Sequence, residues 1–436
     1  MLLPRRKVGT GQLLLFGLIG FLAGSIFGWM FMGTAHTVML LRSQPHYGAE
    51  TIGKAASGAQ QQPLASQDTN VQKPNIAQLK QQPDTLPHST AIPQQVQPQQ
   101  GASSAAASSA YPTKGTMIHT VCTSNGSPYL NFQNRIMFGT YKLAQQMPGG
   151  DKLVAFTRVL HRTQPDVLMD EVPTFRAEPL TPACDNWCEF PVSDRPNAVA
   201  QWLRAAEQDP SLIKAPWILM IETDYVWMKP IQAPPAEGPA DSWAFPFGYI
   251  QPQAPALNAV MKRMYPGDLN DVPGTGPAPV MLRIQELIKI TPDWERLTAH
   301  IEADPESKEK LGWVREMYAF SVAAALQNVK LEMLLPPKNP LIVQPPADHS
   351  IGSAAMFHYT WGAIFQTSTG TKIWEFDKRT YTDVSIQTKT PHVPVPPPFA
   401  EGWQLQDGAP VTHALHEEMV QMTTQMNKAV DALPNL

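Results

Sequence analysis

The sequence predicts an α/β domain with a parallel-rich sheet, carried on a single amino-terminal transmembrane helix. Three observations predict it. From about Met117 onward, short β-rich apolar runs alternate with longer runs of helical period. Residues 13–33 form an apolar stretch without charge, preceded by Arg5, Arg6 and Lys7. Between the two lies a tract dominated by Gln, Pro, Ser and Ala, in strings such as QQPLASQ, QQVQPQQ and ASSAAASSA.

Composition narrows the classes. The 436 residues hold 33 Lys+Arg and 37 Asp+Glu, a formal net charge of −4 with no basic block. Nucleic-acid binding needs clustered cations, so that class is excluded. A 43% hydrophobic content supports a large core and excludes a wholly disordered chain. Three cysteines, Cys122, Cys184 and Cys188, are too few for a disulfide-dense scaffold.

The apolar stretch comes first. At about 1.5 Å per residue, 13–33 crosses a ~30 Å hydrocarbon core, and Trp29 near its far end suits an interfacial anchor. The competing reading is a cleaved signal peptide, whose apolar core usually runs about 7–15 residues. This stretch is longer and apolar residues continue to Leu41, so an uncleaved anchor is expected. The positive-inside rule keeps 1–12 in the cytosol and sends the rest to the lumen, although Arg42 weakens the asymmetry. The segment 43–115 buries too little apolar surface to offset chain entropy and reads as a disordered stem.

The folded part is expected over 116–390, with a Pro-rich connector and an amphipathic helix over 391–436. MIHTVCT reads as a strand ending in the turn Ser124-Asn125-Gly126-Ser127-Pro128. A helix follows, with Phe132, Ile136 and Leu143 on one side and Pro148-Gly149-Gly150 closing it. KLVAFTRVL is a second strand, and Ala198, Val199, Trp202 and Leu203 mark a helix before the buried strand PWILMI. PVMLRIQELIKI and WVREMYAFSVAAALQNV both have helical periodicity. Near the end, Leu415, Met419, Met422, Met426, Val430 and Leu433 step by four and three, an amphipathic helix expected to dock on the domain. PHVPVPPPF reads as a polyproline connector.

Chemistry concentrates where PWILMI ends in Glu222-Thr223-Asp224-Tyr225. Ligands of open α/β sheets lie at the carboxyl ends of parallel strands. On an extended chain residues i and i+2 share a face, so Glu222 and Asp224 are expected to address one ion or ribose. Hard carboxylate oxygens suit Mg²⁺ or Mn²⁺, which bridges a nucleotide diphosphate and stabilises a departing UDP. Read alone, an acid-x-acid triplet is more often a solvated strand end. His358 in FHYTWG offers an imidazole, although a lone histidine in apolar surroundings is more often a core residue. Glu316 in GWVREMYA could position an acceptor hydroxyl, against the commoner reading of an ion pair. Cys184 and Cys188 lie close enough in CDNWC for a local bridge in an oxidising lumen; a zinc site lacks a second Cys/His pair nearby. Asn125-Gly126-Ser127 is a glycosylation sequon, and alternatively the turn that receives a nucleotide.

From about His119 to Tyr381 the chain resembles the hydroxyproline O-arabinosyltransferases of plants and green algae. The strings that carry the resemblance are HTVCTSNGSPY, FTRVLHRTQPDVLMDEVPTF, FPFGYIQP, GWVREMYA, FHYTWG and WEFDKRTY. It is also similar, more distantly, to the peptidyl-serine galactosyltransferases. The resemblance implies a GT-A-like glycosyltransferase domain with a Rossmann-like nucleotide-binding sheet. It implies a single-pass type II protein of the Golgi membrane with its catalytic domain in the lumen. The implied reaction is metal-assisted transfer of L-arabinofuranose from UDP-L-arabinofuranose to the 4-hydroxyl of hydroxyproline in secreted or cell-wall proteins, with net retention. Carried over by position, Asp224 is the leading metal ligand and a catalytic residue, and Glu222 is a donor-site contact and further ligand. His358 completes the shell of an Mn²⁺ or similar ion, and Glu316 is the acceptor-side or catalytic carboxylate. Lys378 and Arg379 are implied diphosphate contacts, and Thr120 and Thr123 nucleotide contacts. The chain departs from the family pattern at Thr223 and Tyr225, and over Gly276-Pro277-Ala278-Pro279-Val280. These departures keep open a hexose transfer to serine on the same fold, and a catalytically silent Golgi-anchored binding protein.

Overall fold

The computed structural model describes residues 111–186, 188–235, 242–434 and 436. The expected anchor at 13–33 and nearly all of the expected stem lie outside the described residues. Among the described residues, no helix is long and apolar enough to cross a membrane.

β1 (Ile118–Ser124) is buried along its whole length. The chain then turns into α1 (Pro128–Gln145), where the Ser127 hydroxyl accepts from the Leu130 N–H and Pro128 occupies the first turn. β2 (Leu153–His161), β3 (Thr174–Ala177), α2 (Arg195–Gln208) and β4 (Trp217–Ile221) follow. β1 pairs in parallel with β2 and with β4, and β2 in parallel with β3. Strands buried on both faces need apolar residues at every position, which is why PWILMI shows no alternation.

Beyond β4 the chain leaves the large sheet as β5 (Tyr225–Trp227) and returns as β6 (Trp243–Ala244). After the short α3 (Asn258–Met264) comes β7 (Val280–Arg283), antiparallel to both β4 and β6. The strand order is β3-β2-β1-β4-β7-β6, so the sheet is mixed, parallel over its first four members. Here the helical expectation for PVMLRIQELIKI divides. Val280–Arg283 is a strand, and α4 (Ile284–Ala303) begins only at Ile284. A run of three apolar residues and an arginine carries no readable period, and pairing along β4 decides it. The Arg283 guanidinium also lies 3.9 Å from the Trp217 ring centre.

α5 (Pro305–Leu311) and α6 (Arg315–Leu326) complete this half. A second, three-stranded sheet has the order β5-β9-β8, with β8 (Ile342–Val343) and β9 (Met356–His358). The hairpin of β10 (Gly362–Gln366) and β11 (Lys372–Asp377) stands beside it. The C-terminal helix α7 (His413–Asp431) docks as expected. Leu415, Met419, Met422 and Met426 are buried in one cluster with Phe132 and Ile136 of α1. The helices meet closely at Gly139, where a Cβ would stand 2.9 Å from the Ala429 Cβ.

The Pro-rich run is more than a connector, because it is pinned along the domain. Asn427 accepts from the Val393 N–H at 2.8 Å and donates to its carbonyl at 2.9 Å. Trp374 Nε1 donates to the Pro394 carbonyl at 3.0 Å. The buried Arg135 of α1 gathers the end of the chain, donating to Glu171, to the Thr388 carbonyl and to the Pro434 carbonyl at 2.5 Å.

Candidate active site

The triplet Glu222-Thr223-Asp224 spans the joint between the two sheets. It is a turn rather than a continuation of β4, so the i, i+2 expectation does not hold. The two carboxylates serve different clusters, and Thr223 between them donates to Gln133 Oε1 at 3.1 Å.

Asp224 belongs to the first cluster. β5 pairs with β9 in a register that sets Tyr225 opposite His358, bringing the imidazole to the end of β4. His358 Nε2 lies 3.2 Å from Asp224 Oδ2, and Lys378 Nζ donates to the same oxygen at 2.5 Å. Burial pushes the Asp224 carboxyl up, but Lys378 and His358 outweigh it and hold the group well below the usual carboxylate range. Burial disfavours the Lys378 ammonium, and Asp224 more than restores it, so its pKa is raised. The hydroxyls of Tyr225 and Tyr359 are buried beside this cluster without a hydrogen-bond partner among the described residues. Burial pushes both far up, and the Asp224 charge adds to it.

Gln344, just past β8, orients the histidine. Its Oε1 lies 2.9 Å from His358 Nδ1 and fixes the ring's orientation. With Nδ1 held by Gln344, Nε2 and Asp224 Oδ2 face the same point at the end of β4. Asp224 and His358 therefore fit a hard divalent ion, whose remaining positions diphosphate oxygens and water can fill. Glu222 is not brought to this pair. No group of three His, Cys, Asp or Glu able to hold a metal occurs among the described residues.

Glu222 belongs to the second cluster. Arg195, at the start of α2, grips it with two bonds, Nη1 to Oε1 at 2.8 Å and Nη2 to Oε2 at 3.0 Å. The same Nη1 lies 3.5 Å from Glu316 Oε2, at the start of α6. The Glu316 side chain is only 3% exposed. Burial pushes it up to about 7, with Arg195 opposing and the Glu222 charge adding. A carboxyl poised there can hold or release a proton near neutrality.

The other expected contacts divide. Thr123 lies at the carboxyl end of β1, close to the turn. Thr120 is fully buried mid-strand, paired with Phe156 of β2 and Leu219 of β4. Arg379 is turned onto Asp377, its Nη2 donating to Oδ2 at 2.6 Å, while its guanidinium lies 4.9 Å from the Trp361 ring centre. It does not join Lys378 at Asp224. A cavity of about 470 Å³ opens beside the Asn125-Gly126-Ser127 turn, lined by Gly126, Arg162, Asp166, Val384 and Gln387. Gly126 has a φ of +69°, and a Cβ there would meet Asp166 Oδ2 at 2.8 Å. Cys184 and Cys188 are disulfide-bonded. Cys122 is a buried free thiol that burial pushes up to about 12.

Sequence reasoning missed Arg195 and Gln344. Arg195 shows only as the residue before a first-turn proline, and its partners lie 27 and 121 residues away. Gln344 carries no charge and no motif.

The model of the hydroxyproline O-arabinosyltransferase family N-terminal domain matches residues 118–333. Hydroxyproline O-arabinosyltransferase 1 of Arabidopsis thaliana is 33% identical over 330 residues, covering 73% of this chain and 81% of that protein. The chain belongs to the hydroxyproline O-arabinosyltransferase family. It is a glycosyltransferase, which sets aside the silent binding protein that the sequence also allowed. A further hydroxyproline O-arabinosyltransferase, NOD3 of Pisum sativum, is 32% identical over 73% of this chain and 87% of its own length. The peptidyl serine alpha-galactosyltransferase of Arabidopsis thaliana is 23% identical over 302 residues, 63% of this chain and 33% of that protein. Among solved structures, a galactosyltransferase with donor and acceptor sugar analogues is 10% identical, with a TM-score of 0.31 over 61% of this chain and 95% of that one.

Proposed function

We propose that this arabinosyltransferase-family chain transfers L-arabinofuranose from UDP-L-arabinofuranose to the 4-hydroxyl of hydroxyproline in secreted or cell-wall proteins. One observation carries the reading: at the end of β4, Asp224 meets His358 and Lys378 while Glu222 and Glu316 share Arg195. One cluster suits a charged diphosphate, and the other offers a carboxyl with a pKa near neutrality.

Asp224 and His358 would hold a divalent cation such as Mn²⁺, which when bound neutralises charge developing on the departing UDP. Lys378 adds a positive charge to the diphosphate side. The bond that forms joins the hydroxyproline oxygen to the sugar's anomeric carbon, and the bond that breaks frees UDP. Net retention places attack on the face that UDP leaves. Glu316 accepts the hydrogen bond of the attacking hydroxyl and holds its proton. The cavity beside Gly126 has the volume of a nucleoside site.

A GT-A-like domain in the Golgi lumen, tethered by the helix at 13–33, completes the reading. The Cys184–Cys188 bridge supports an oxidising compartment. A second reading, transfer of a hexose, is favoured by Gly276, where the chain departs from the family pattern. A Cβ there would stand 2.5 Å from Met317 Cε, so the altered stretch packs on the side chain that follows Glu316 in sequence.

The test uses the purified full-length chain with Mn²⁺, a hydroxyproline peptide and a panel of UDP-sugars, with products read by mass spectrometry. A single pentose on hydroxyproline is expected. A hexose instead establishes the second reading. Asp224→Asn is expected to lose at least about a hundredfold in rate while remaining folded; an active variant would remove Asp224 from the site.

A further inference from the structure

The cavity beside the Asn125-Gly126-Ser127 turn takes one wall from far along the chain. Val384 and Gln387 line it, and both belong to the short turn Val384–Gln387 that follows the hairpin of β10 and β11. Two buried side chains of α1, one helical turn apart, hold this wall in place. Asn131 reaches Gln387, while Arg135 donates to the Thr388 carbonyl at 2.7 Å and to Thr390 Oγ1 at 3.1 Å.

Hydrogen-bond polarity runs through the wall in one direction. The guanidinium of Arg158, fully buried on β2, can only donate. It forks onto Asp166, with Nη1 to Oδ2 and Nη2 to Oδ1 at 2.7 Å each. The same Nη1 donates to Asn131 Oδ1 at 3.3 Å, which turns the Asn131 amide nitrogen the other way. That nitrogen donates to the Gly126 carbonyl, which can only accept, at 3.2 Å, and to Gln387 Oε1 at 3.0 Å. With Oε1 facing Asn131, Gln387 shows its N–H donors on the opposite side of the amide. No acceptor among the described residues takes them up.

The rest of the lining narrows the occupant. Arg158 matches the Asp166 charge, and Arg162 is turned onto the Asn125 and Asp185 carbonyls at 3.0 and 2.9 Å. Val167 and Val384 both line the cavity and are 44% and 66% exposed. A flat ring seated there covers apolar surface that water otherwise meets, and its edge meets a neutral amide donor. A phosphate lacks the apolar face, and a hydrocarbon lacks the acceptor. A pyrimidine with a ring carbonyl has both. In the order β2-β1-β4 the end of β2, where Arg162 follows, lies two strand spacings or about 10 Å from β4. A base in the cavity therefore leaves its ribose and phosphates to run toward Asp224 and Lys378.

We infer that Gln387, oriented by Arg158 through Asn131, selects the donor's base. It donates to O4 of uracil, where cytosine carries an amine that can only donate. The inference rests on the UDP-sugar donor proposed above and adds which residue tells that nucleotide from others. The selecting residue lies outside residues 118–333, which the family model matches.

The experiment titrates the full-length chain with UDP and with CDP, each with Mn²⁺, by calorimetry, which needs no transfer. Wild type is expected to bind UDP at least about tenfold more tightly than CDP. Gln387→Leu, which cannot donate, is expected to bring the two affinities within about twofold of each other. Gln387→Glu keeps the bond from Asn131, turns an acceptor toward the base and is expected to favour CDP. Asn131→Asp offers Gln387 only acceptors, so the Gln387 amide must turn over, and the ratio should move toward CDP with Gln387 itself unchanged. Partial unfolding weakens both nucleotides alike, so the ratio isolates the base. If wild type binds both alike, if neither binds, or if the Gln387 variants keep the wild-type ratio, the inference is refuted. An unchanged ratio in Asn131→Asp refutes the orientation of Gln387 by its neighbours. A ratio set by Gln387 without pentose transfer leaves the base site standing and removes the proposed reaction. Pentose transfer with a ratio that ignores Gln387 does the reverse.

Discussion

Replacing Glu316 with glutamine isolates the cost of its ionisation. The carboxyl rises from an ordinary 4.5 to about 7 because burial penalises its charged form more than Arg195 rewards it. At about 1.4 kcal/mol per pH unit, that rise corresponds to about 3 kcal/mol. The sign follows from a folded pKa above the unfolded one. The folded state binds the proton more tightly, so this contribution is fully present below about pH 4.5 and is lost as pH rises through about 7. Glutamine is nearly isosteric and stays neutral, so Glu316→Gln lacks that loss. Urea unfolding of both proteins from pH 4.5 to pH 8.5 is the assay. The variant should gain on wild type as pH rises, by up to about 3 kcal/mol at the alkaline end. Glu418, which burial pushes up to about 8, titrates in both proteins and cancels in the difference. Transfer by the variant should fall at every pH. A stability difference that stays flat with pH would refute the assignment of a raised, buried carboxyl to Glu316.

Arg195→Met leaves Glu222 and Glu316 facing each other without their cation, which should cost about 3 kcal/mol or more at pH 8. The loss should shrink toward pH 5 as Glu316 takes up a proton; a pH-independent loss in the same urea series would contradict the shared ion pair. Lys378→Met removes the ammonium that holds Asp224 Oδ2. Mn²⁺ binding without donor, followed by calorimetry, should tighten about tenfold, since one charged hydrogen bond of ~1.5 kcal/mol no longer competes. Weaker binding would mean that Lys378 supports the cation site. Gly139→Val forces a side chain into the 2.9 Å gap to Ala429 and should cost about 1–3 kcal/mol of stability. An unchanged unfolding midpoint would show that α1 and α7 can part freely.

The fold was legible where composition changes abruptly. PWILMI announces a doubly buried strand because nothing polar interrupts it, and the carboxylates after it stand out for the same reason. The alternation of strands and helices, and the docking face of α7, follow from periods long enough to count. PVMLR was not legible, because three apolar residues in a row fit a strand or a helix turn equally and only β4 beside them decides. Residue type, position and family strings single out Asp224 and His358, and the structure brings the two side chains together. Their separation from Glu222 was not legible, because it depends on the chain turning at 222–224 rather than extending. Arg195 has no local mark at all. It matters only because α2 and α6 bring it between two acids distant in sequence, and that is a property of packing.

The union of α1 with α7 bears on how the protein is made. Phe132 and Ile136 find their cover in Leu415, Met419 and Met422, and Arg135 waits for a carbonyl 299 residues later. At about 5–20 residues per second, a ribosome needs roughly 15–60 s to cover that interval. Throughout it, the nascent chain carries an open apolar groove on α1. A prematurely ended chain never closes that groove and stays exposed to whatever binds apolar surface in its compartment. Cover for α1 thus arrives only with α7, far downstream, so this part of the surface closes late in synthesis.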